Sequence, residues 1–367
     1  MSTPADPAAA CPGRAALADL AALPDLTTLP DLASRAFGGG VIAANDEFFA
    51  AADNLVDPLP PTFSPRTFAA KGQVYDGWET RRRREPGCDH AIVRLGLPGV
   101  VRLLVVDTSF FTGNYPPFAA VDGCAVDGYP GPDELAKAHW VPLLDRSPLA
   151  GDSRNVFPVS VPHHVTHVRL TIFPDGGVAR LRVHGDVVPD PRLLPDILDL
   201  AATEHGGRVQ GCSDRFYGAP QNLLAPGPAR VMGEGWETAR RRDDGNDWVL
   251  VRLGVPGVVH FVDLDTSHFK GNAPGRAALR AADDRHGDLD DPAAWFPLLP
   301  ETRLRPDTRH RFPVTEPRAA THVRLDIFPD GGMARLRVTG RIDAAGRDAL
   351  IARRQRTRLP AAGPDGG

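Results

Sequence analysis

The segment Gly77-Trp-Glu-Thr-Arg-Arg-Arg-Arg84 packs an indole (Trp78), a carboxylate (Glu79) and four guanidinium groups into eight residues. Thirty residues on, Asp107-Thr-Ser-Phe-Phe-Thr-Gly-Asn114 offers a second carboxylate, hydroxyls and an amide. Such a set suits one kind of chemistry. The arginines, Arg81 to Arg84, could clamp an anionic ligand through paired N–H groups while a carboxylate handles protons. The same residues also suit a purely architectural role, with Trp78 in a core, Glu79 paired to Arg82, and Asp107-Thr108 capping a turn. Spacing alone does not separate the two.

Both segments occur twice. Gly235-Trp-Glu-Thr-Ala-Arg-Arg-Arg242 repeats the first, and Asp265-Thr-Ser-His-Phe-Lys-Gly-Asn272 repeats the second, so Trp236, Glu237, Arg240, Arg241, Asp265 and Asn272 are counterparts. Thr166-His-Val-Arg-Leu-Thr-Ile-Phe-Pro-Asp-Gly-Gly177 returns as Thr321-His-Val-Arg-Leu-Asp-Ile-Phe-Pro-Asp-Gly-Gly332, and Asp31-Leu-Ala33 returns as Asp199-Leu-Ala201. The offset shrinks only in steps, which puts the extra residues of the first copy in loops between Val56 and Gly77 and between Pro117 and Trp140. One fold is therefore built twice. The expected organisation is a leader over 1–30, a first repeat over 31–190, a second over 191–343 and a frayed tail over 344–367. Each repeat is long enough to bury its own core.

An apolar share of 42% and a charged share of 24% are ordinary for a globular protein. A net charge of −4 gives no general attraction to nucleic acid or an anionic membrane. Only Lys71, Lys137 and Lys270 among the 42 basic residues are lysines, so an arginine cluster is weak evidence of a site in this chain. Cys11, Cys88, Cys124 and Cys212 have neither zinc-site spacing nor the density of a disulfide framework. No ligand spacing demands a metal and no nucleotide fingerprint is present, so no required cofactor is expected, although a divalent ion stays compatible with the chemistry. The Ala/Leu stretch near the amino terminus is broken by Asp19, Pro24, Asp25 and Pro30, which argues against a signal peptide or membrane span and for a cytoplasmic protein. Assembly of identical subunits is left open.

The elements that must hold these residues read as strands. Val168, Leu170 and Ile172 alternate with Arg169 and Thr171, and Ala179, Leu181 and Val183 alternate with Arg180 and Arg182. Phe-Pro-Asp-Gly-Gly between them predicts a hairpin. Ala91–Leu95 and Val100–Val106 predict two more strands divided by Gly-Leu-Pro-Gly, with Asp107 where the second gives way to a loop. Thirty-seven glycines and as many prolines leave little room for long helices. The fold class expected is all-β, two tandem jelly-roll sandwiches with short peripheral helices. His163, His164 and His167 cluster, but only His167 has a counterpart, His322, which suits a structural histidine better than a metal ligand.

Asp31-Leu-Ala-Ser-Arg35, Ala44-Asn-Asp-Glu-Phe-Phe-Ala50, Gly77–Arg84 and Val106-Asp-Thr-Ser-Phe-Phe-Thr-Gly-Asn-Tyr-Pro116 resemble the allantoicase family, over roughly residues 31–341. The resemblance implies galactose-binding-like jelly rolls and a ureohydrolase that turns allantoate and water into (S)-ureidoglycolate and urea. It brings no residue-level catalytic assignment. The chemistry of allantoate suggests Glu79 first and Asp107 second for proton transfer, Arg82 and Arg83 for the substrate carboxylate, and Asn114, Thr108 and Asp107 for the ureido groups. Asp46 and Glu47 would join them if their loop folds over the site. Asn45-Asp46-Glu47 becomes Ser213-Asp214-Arg215 in the second copy, where Pro220 also replaces Ala52, so a single working site would be in the first. The alternatives are a non-catalytic jelly roll that binds anions or sugars, and a related hydrolase acting on ureidoglycolate.

Overall fold

The computed structural model of the chain describes residues 28–70 and 72–360. The first repeat runs through β1 (Gly40–Ala44), the short β2 (Phe68–Ala69) and β3 (Gly72–Gln73), β4 (Trp78–Glu79), β5 (Asp89–Asp107) and β6 (Phe118–Cys124). After one helical turn, α1 (Pro132–Leu135), it continues with β7 (Val141–Pro148), β8 (Arg154–Pro158), β9 (His164–Phe173), β10 (Gly177–Val178) and β11 (Arg180–Val187). The second repeat copies this order in β12 (Ile197–Asp199), β13 (Arg208–Cys212), β14 (Trp236–Glu237), β15 (Asp247–Asp265), β16 (Arg276–Ala282) and β17 (Phe296–Arg303). It ends with β18 (Arg309–Pro313), β19 (Ala319–Phe328), β20 (Gly332–Met333) and β21 (Arg335–Ile342).

The long β5 organises the first sandwich. Its first half, Asp89 to Arg94, lies between β1 and β9, in a layer ordered β1-β5-β9-β6-β7. Its second half, up to Asp107, lies between β8 and β11 in the facing layer. The two strands expected on either side of Gly-Leu-Pro-Gly are thus one strand that changes layer. Gly96 and Gly99 permit the change because a Cβ at either would meet the backbone of Phe37 or Asp186 at 2.5 and 2.3 Å. Val93, Leu104, Val106, Val168, Leu170, Leu181 and Val183 meet between the layers with no exposed surface. β15 does the same for the second repeat.

Two other expectations are corrected. β9 and β11 do not pair as a hairpin: each pairs with a different half of β5, and the turn between them supplies β10, which pairs with β4. Period-two alternation marks strands but not their partners, and here the buried halves of β5 outcompete the local pairing. The tail is not frayed throughout. Ala344–Arg356 forms helix α2, capped by Asp343, whose carboxylate accepts from Gly346 N. Leu350 is buried in the second core, while Arg354 reaches Asp127 of the first repeat at 2.9 Å and Thr357 O accepts from His164 N at 2.7 Å. The helix therefore ties the two repeats together. The leader lies outside the described residues up to residue 27. Leu29 is buried and its carbonyl accepts from the His184 ring at 2.8 Å.

Candidate active site

Strand β4 holds Trp78 and Glu79 side by side, facing opposite ways. Trp78 points inward with no exposed surface, and its indole N–H donates to Asp46 O at 2.8 Å. Glu79 points the other way and is half-buried. Its Oε1 accepts a 2.7 Å hydrogen bond from Asn114 Nδ2, while Oε2 has no hydrogen-bond partner among the described residues. Burial pushes the Glu79 carboxyl up, against the opposing pull of the Asn114 amide. Main-chain contacts hold the pair in place: Glu79 bridges Ala50 on one side and Gly177 on the other, and Asn114 O accepts from Gly177 N at 2.7 Å. Gly177 admits no side chain there, because a Cβ would lie 2.0 Å from the buried Phe111 ring.

The expected site thus divides. Glu79 and Asn114 come together. Arg82 is exposed and makes no ion pair or hydrogen bond with any described residue, so its guanidinium is available. Arg83 belongs to the fold: Nη1 binds the buried carboxylate of Asp89 at 2.6 Å and its backbone N–H donates to Asp175. Thr108 is fully buried and donates to Ala150 O at 2.6 Å, so it pins the 150–153 loop and has no hydroxyl to offer a ligand. Trp78 is likewise core. Asp107 caps its own turn by accepting from Ser109 N at 2.9 Å, and no hydrogen bond joins it to Glu79. Instead it lines a separate cavity with Ser109, Arg154 and Arg182. Sequence reasoning missed Arg154 as a site residue; the available signal was its recurrence as Arg309.

The loop after β1 does fold over this region. Asp46 accepts from Phe48 N at 3.0 Å and from Arg81 Nε at 2.6 Å. Burial pushes its carboxyl up, but these hydrogen bonds prevail and hold it below the usual carboxylate range. Glu47 accepts from Ala52 N. Both are occupied in shaping the loop.

The second repeat reproduces the pair. Asn272 Nδ2 donates to Glu237 Oε1 at 2.6 Å, and Trp236 donates to Asp214 O at 2.9 Å. Arg240 is exposed without a described partner, Arg241 is tied to Asp247 and Asp243, and Asp265 caps Ser267 N. Ala239 stands where the first repeat has Arg81, so the Asp46–Arg81 bridge has no equivalent. Pro220 is accommodated at the start of a short turn of helix matching Ala52–Val56.

The roles of Arg82 and Arg83 separate experimentally. Arg82→Lys keeps the charge and loses the planar fork, and is expected to lower kcat/KM about tenfold with no change in melting temperature. Arg83→Lys is expected to cost about 1–2 kcal/mol of stability by weakening the bond to buried Asp89. Unchanged turnover in Arg82→Lys would return that residue to the solvated surface.

Residues 30–188 and 198–343 each match the family model described as the allantoicase repeat. The chain is 56% identical over 314 residues to a probable allantoicase of Nocardia farcinica, covering 84% of this chain and 93% of that one. It is 46% identical over 337 residues to a probable allantoicase of Streptomyces coelicolor, covering 88% of each. The crystal structure of allantoicase from Saccharomyces cerevisiae matches with a TM-score of 0.72 and 31% identity, over 88% of this chain and 98% of that one. With both repeats matched in order and nearly the full length of these relatives spanned, the chain belongs to the allantoicase family.

Proposed function

We propose that the protein hydrolyses allantoate to (S)-ureidoglycolate and urea, with Glu79 as the proton carrier and Asn114 as the group that positions it. The observation that carries the reaction is the 56% identity to a probable allantoicase across most of both chains. The tetrahedral carbon of allantoate bears a carboxylate, a hydrogen and two ureido groups. Hydrolysis breaks one C–N bond and forms one C–O bond, so water must lose a proton and the departing nitrogen must gain one.

A carboxyl held above its ordinary range by burial is suited to that exchange. Its free oxygen can take the proton from water, and the same group can return it to the leaving urea. Arg82 is the uncommitted cation nearest to Glu79 along the chain and would hold the substrate carboxylate. The reaction is taken to need no nucleotide or organic cofactor. Among the described residues no three His, Cys, Asp or Glu side chains gather to hold a metal. No helix among the described residues is long and apolar enough to cross a membrane, and we place the enzyme in the cytoplasm.

The test is urea release from allantoate by the purified chain, beside the same assay with ureidoglycolate, each with and without added divalent metal. Urea from allantoate is expected, with ureidoglycolate accumulating as it forms. No urea under either condition, or faster release from ureidoglycolate, would overturn the reading.

A further inference from the structure

At the loop end of the first repeat, β8, β5 and β11 lie side by side. Asp107 stands opposite Arg154 on β8 and Arg180 on β11, while Val105 stands opposite Val156 and Arg182. Positions two apart on a strand share a face, so these six side chains form one block on one surface of the sheet. The prolines of the first repeat's longer loop, Pro58, Pro60 and Pro61, wall the block in. Together with Phe110 and Ser109 they enclose about 390 Å³ beside Asp107, Arg154 and Arg182.

Half of the charges in this block are committed. Arg180 bonds Asp76 at 2.8 Å, and Arg182 bonds Asp31 at 3.4 Å together with the carbonyls of Asp57 and Leu59. Two groups are not. Arg154 makes no hydrogen bond or ion pair with any described residue, and Asp107 uses one oxygen on Ser109 N while the other has no described partner. The cavity thus presents one open guanidinium and one open carboxylate oxygen.

The second repeat shows what closing the same site looks like. Asp265, Arg309, Arg335 and Arg337 occupy the matching positions, in the same register. Val105 is replaced by Asp263 and Val156 by Arg311. Asp263, almost fully buried, takes Arg309 at 2.8 Å and Arg311 at 2.7 Å. There the guanidinium equivalent to Arg154 is neutralised from within, and the cavity shrinks to about 130 Å³.

We propose that the Asp107–Arg154 cavity of the first repeat is a binding site for a small carboxylate carrying amide or ureido N–H groups, and that Asp263 closes its twin. Arg154 takes the carboxylate and the open oxygen of Asp107 accepts from the N–H groups. The choice of ureido acids as the ligand class rests on the proposed function; the geometry of the site does not. The site is separate from the Glu79–Asn114 pair, with which it shares no lining residue.

Ureidoacetate has the carboxylate and one ureido group but no second ureido group to lose, so it serves as the probe. Calorimetric titration of the intact chain is expected to show, beside binding at the Glu79 site, a component weakened about 10- to 100-fold in Arg154→Ala and unchanged in Arg309→Ala. Val105→Asp/Val156→Arg, which installs the second repeat's ion pairs, should weaken binding by a similar factor. Arg154 is exposed, so its removal should leave the melting temperature unchanged and the comparison clean even if the double variant folds poorly. Equal binding in the parent, Arg154→Ala and Arg309→Ala, or no binding to the parent, overturns the proposal. Allantoate turnover then identifies the source of the ligand. A fall in kcat/KM for Arg154→Ala makes the ligand the substrate itself, and an unchanged value makes it a different ureido acid. If the parent releases no urea yet binds ureidoacetate through Arg154, the proposed function fails and this inference stands.

Discussion

Glu79→Gln is expected to lower kcat for urea release by about 10²–10⁴ while the protein stays folded. Gln keeps the shape of the side chain and can still accept from Asn114 Nδ2 through its carbonyl oxygen, so the 2.7 Å contact survives and only the titration is lost. Glu237→Gln is the matched control, because Glu237 accepts from Asn272 at 2.6 Å in the same way. A large loss for Glu79→Gln alone places the reaction in the first repeat, and a large loss for Glu237→Gln alone places it in the second. Modest, equal losses of stability with turnover intact would make both residues architectural.

The pH profile adds a readout that architecture would not move. Burial raises the Glu79 carboxyl and the Asn114 hydrogen bond lowers it, so Asn114→Ala removes the opposing pull and the pKa rises further. Whether Glu79 acts as base or acid, the limb of the kcat profile that reports it moves to higher pH in Asn114→Ala. A profile that loses height without moving would remove Glu79 from the proton path.

The legibility of the chain follows from what each signal encodes. Strands such as Val168–Ile172 could be read because alternation reports one wet face, and the tandem duplication because two copies lie in one chain. Pairing was not legible. Phe-Pro-Asp-Gly-Gly looks like a hairpin turn, yet β9 and β11 separate because each finds a longer apolar partner in half of β5. The site was half legible for a similar reason. Glu79 and Asn114 recur with Glu237 and Asn272, and they do touch. Recurrence also selects residues that serve the fold, and Thr108, Arg83 and Trp78 recur because each copy needs its loop pin, its bond to Asp89 or Asp247, and its core. Arg154 was hidden by the abundance of arginine. Only the contrast between its open guanidinium and the Asp263-bound Arg309 distinguishes it.

The histidine cluster leads to a second large effect, on stability. His164 and His167 are buried, and burial, aided by Arg354 near His164 and Arg94 near His167, pushes each ring down to about 4. In each the Nε2 atom has no hydrogen-bond partner among the described residues. In the unfolded chain these rings would titrate near their ordinary value of about 6.5. As the pH falls below that value the unfolded state binds protons that the folded state refuses, so stability drops with pH until the folded pKa is reached. For two rings lowered this far the expected loss between pH 7 and pH 5 is about 2 kcal/mol each.

The carboxylates most strongly lowered, Asp190 and Asp283, are held at about 2, so their share of acid denaturation belongs to a lower pH window. Glu79 acts in the opposite sense, since a raised carboxyl favours the folded state as it becomes protonated. The window between pH 6.5 and 4 therefore belongs mainly to the buried histidines, with His322 contributing in the same direction. Urea denaturation of the parent and of His164→Gln/His167→Gln at pH 7, 6 and 5 measures the effect. The parent should lose several kcal/mol more than the double variant across that range, even if the variant starts out less stable. Parallel losses in the two proteins would show that these rings do not control the acid limit of the fold.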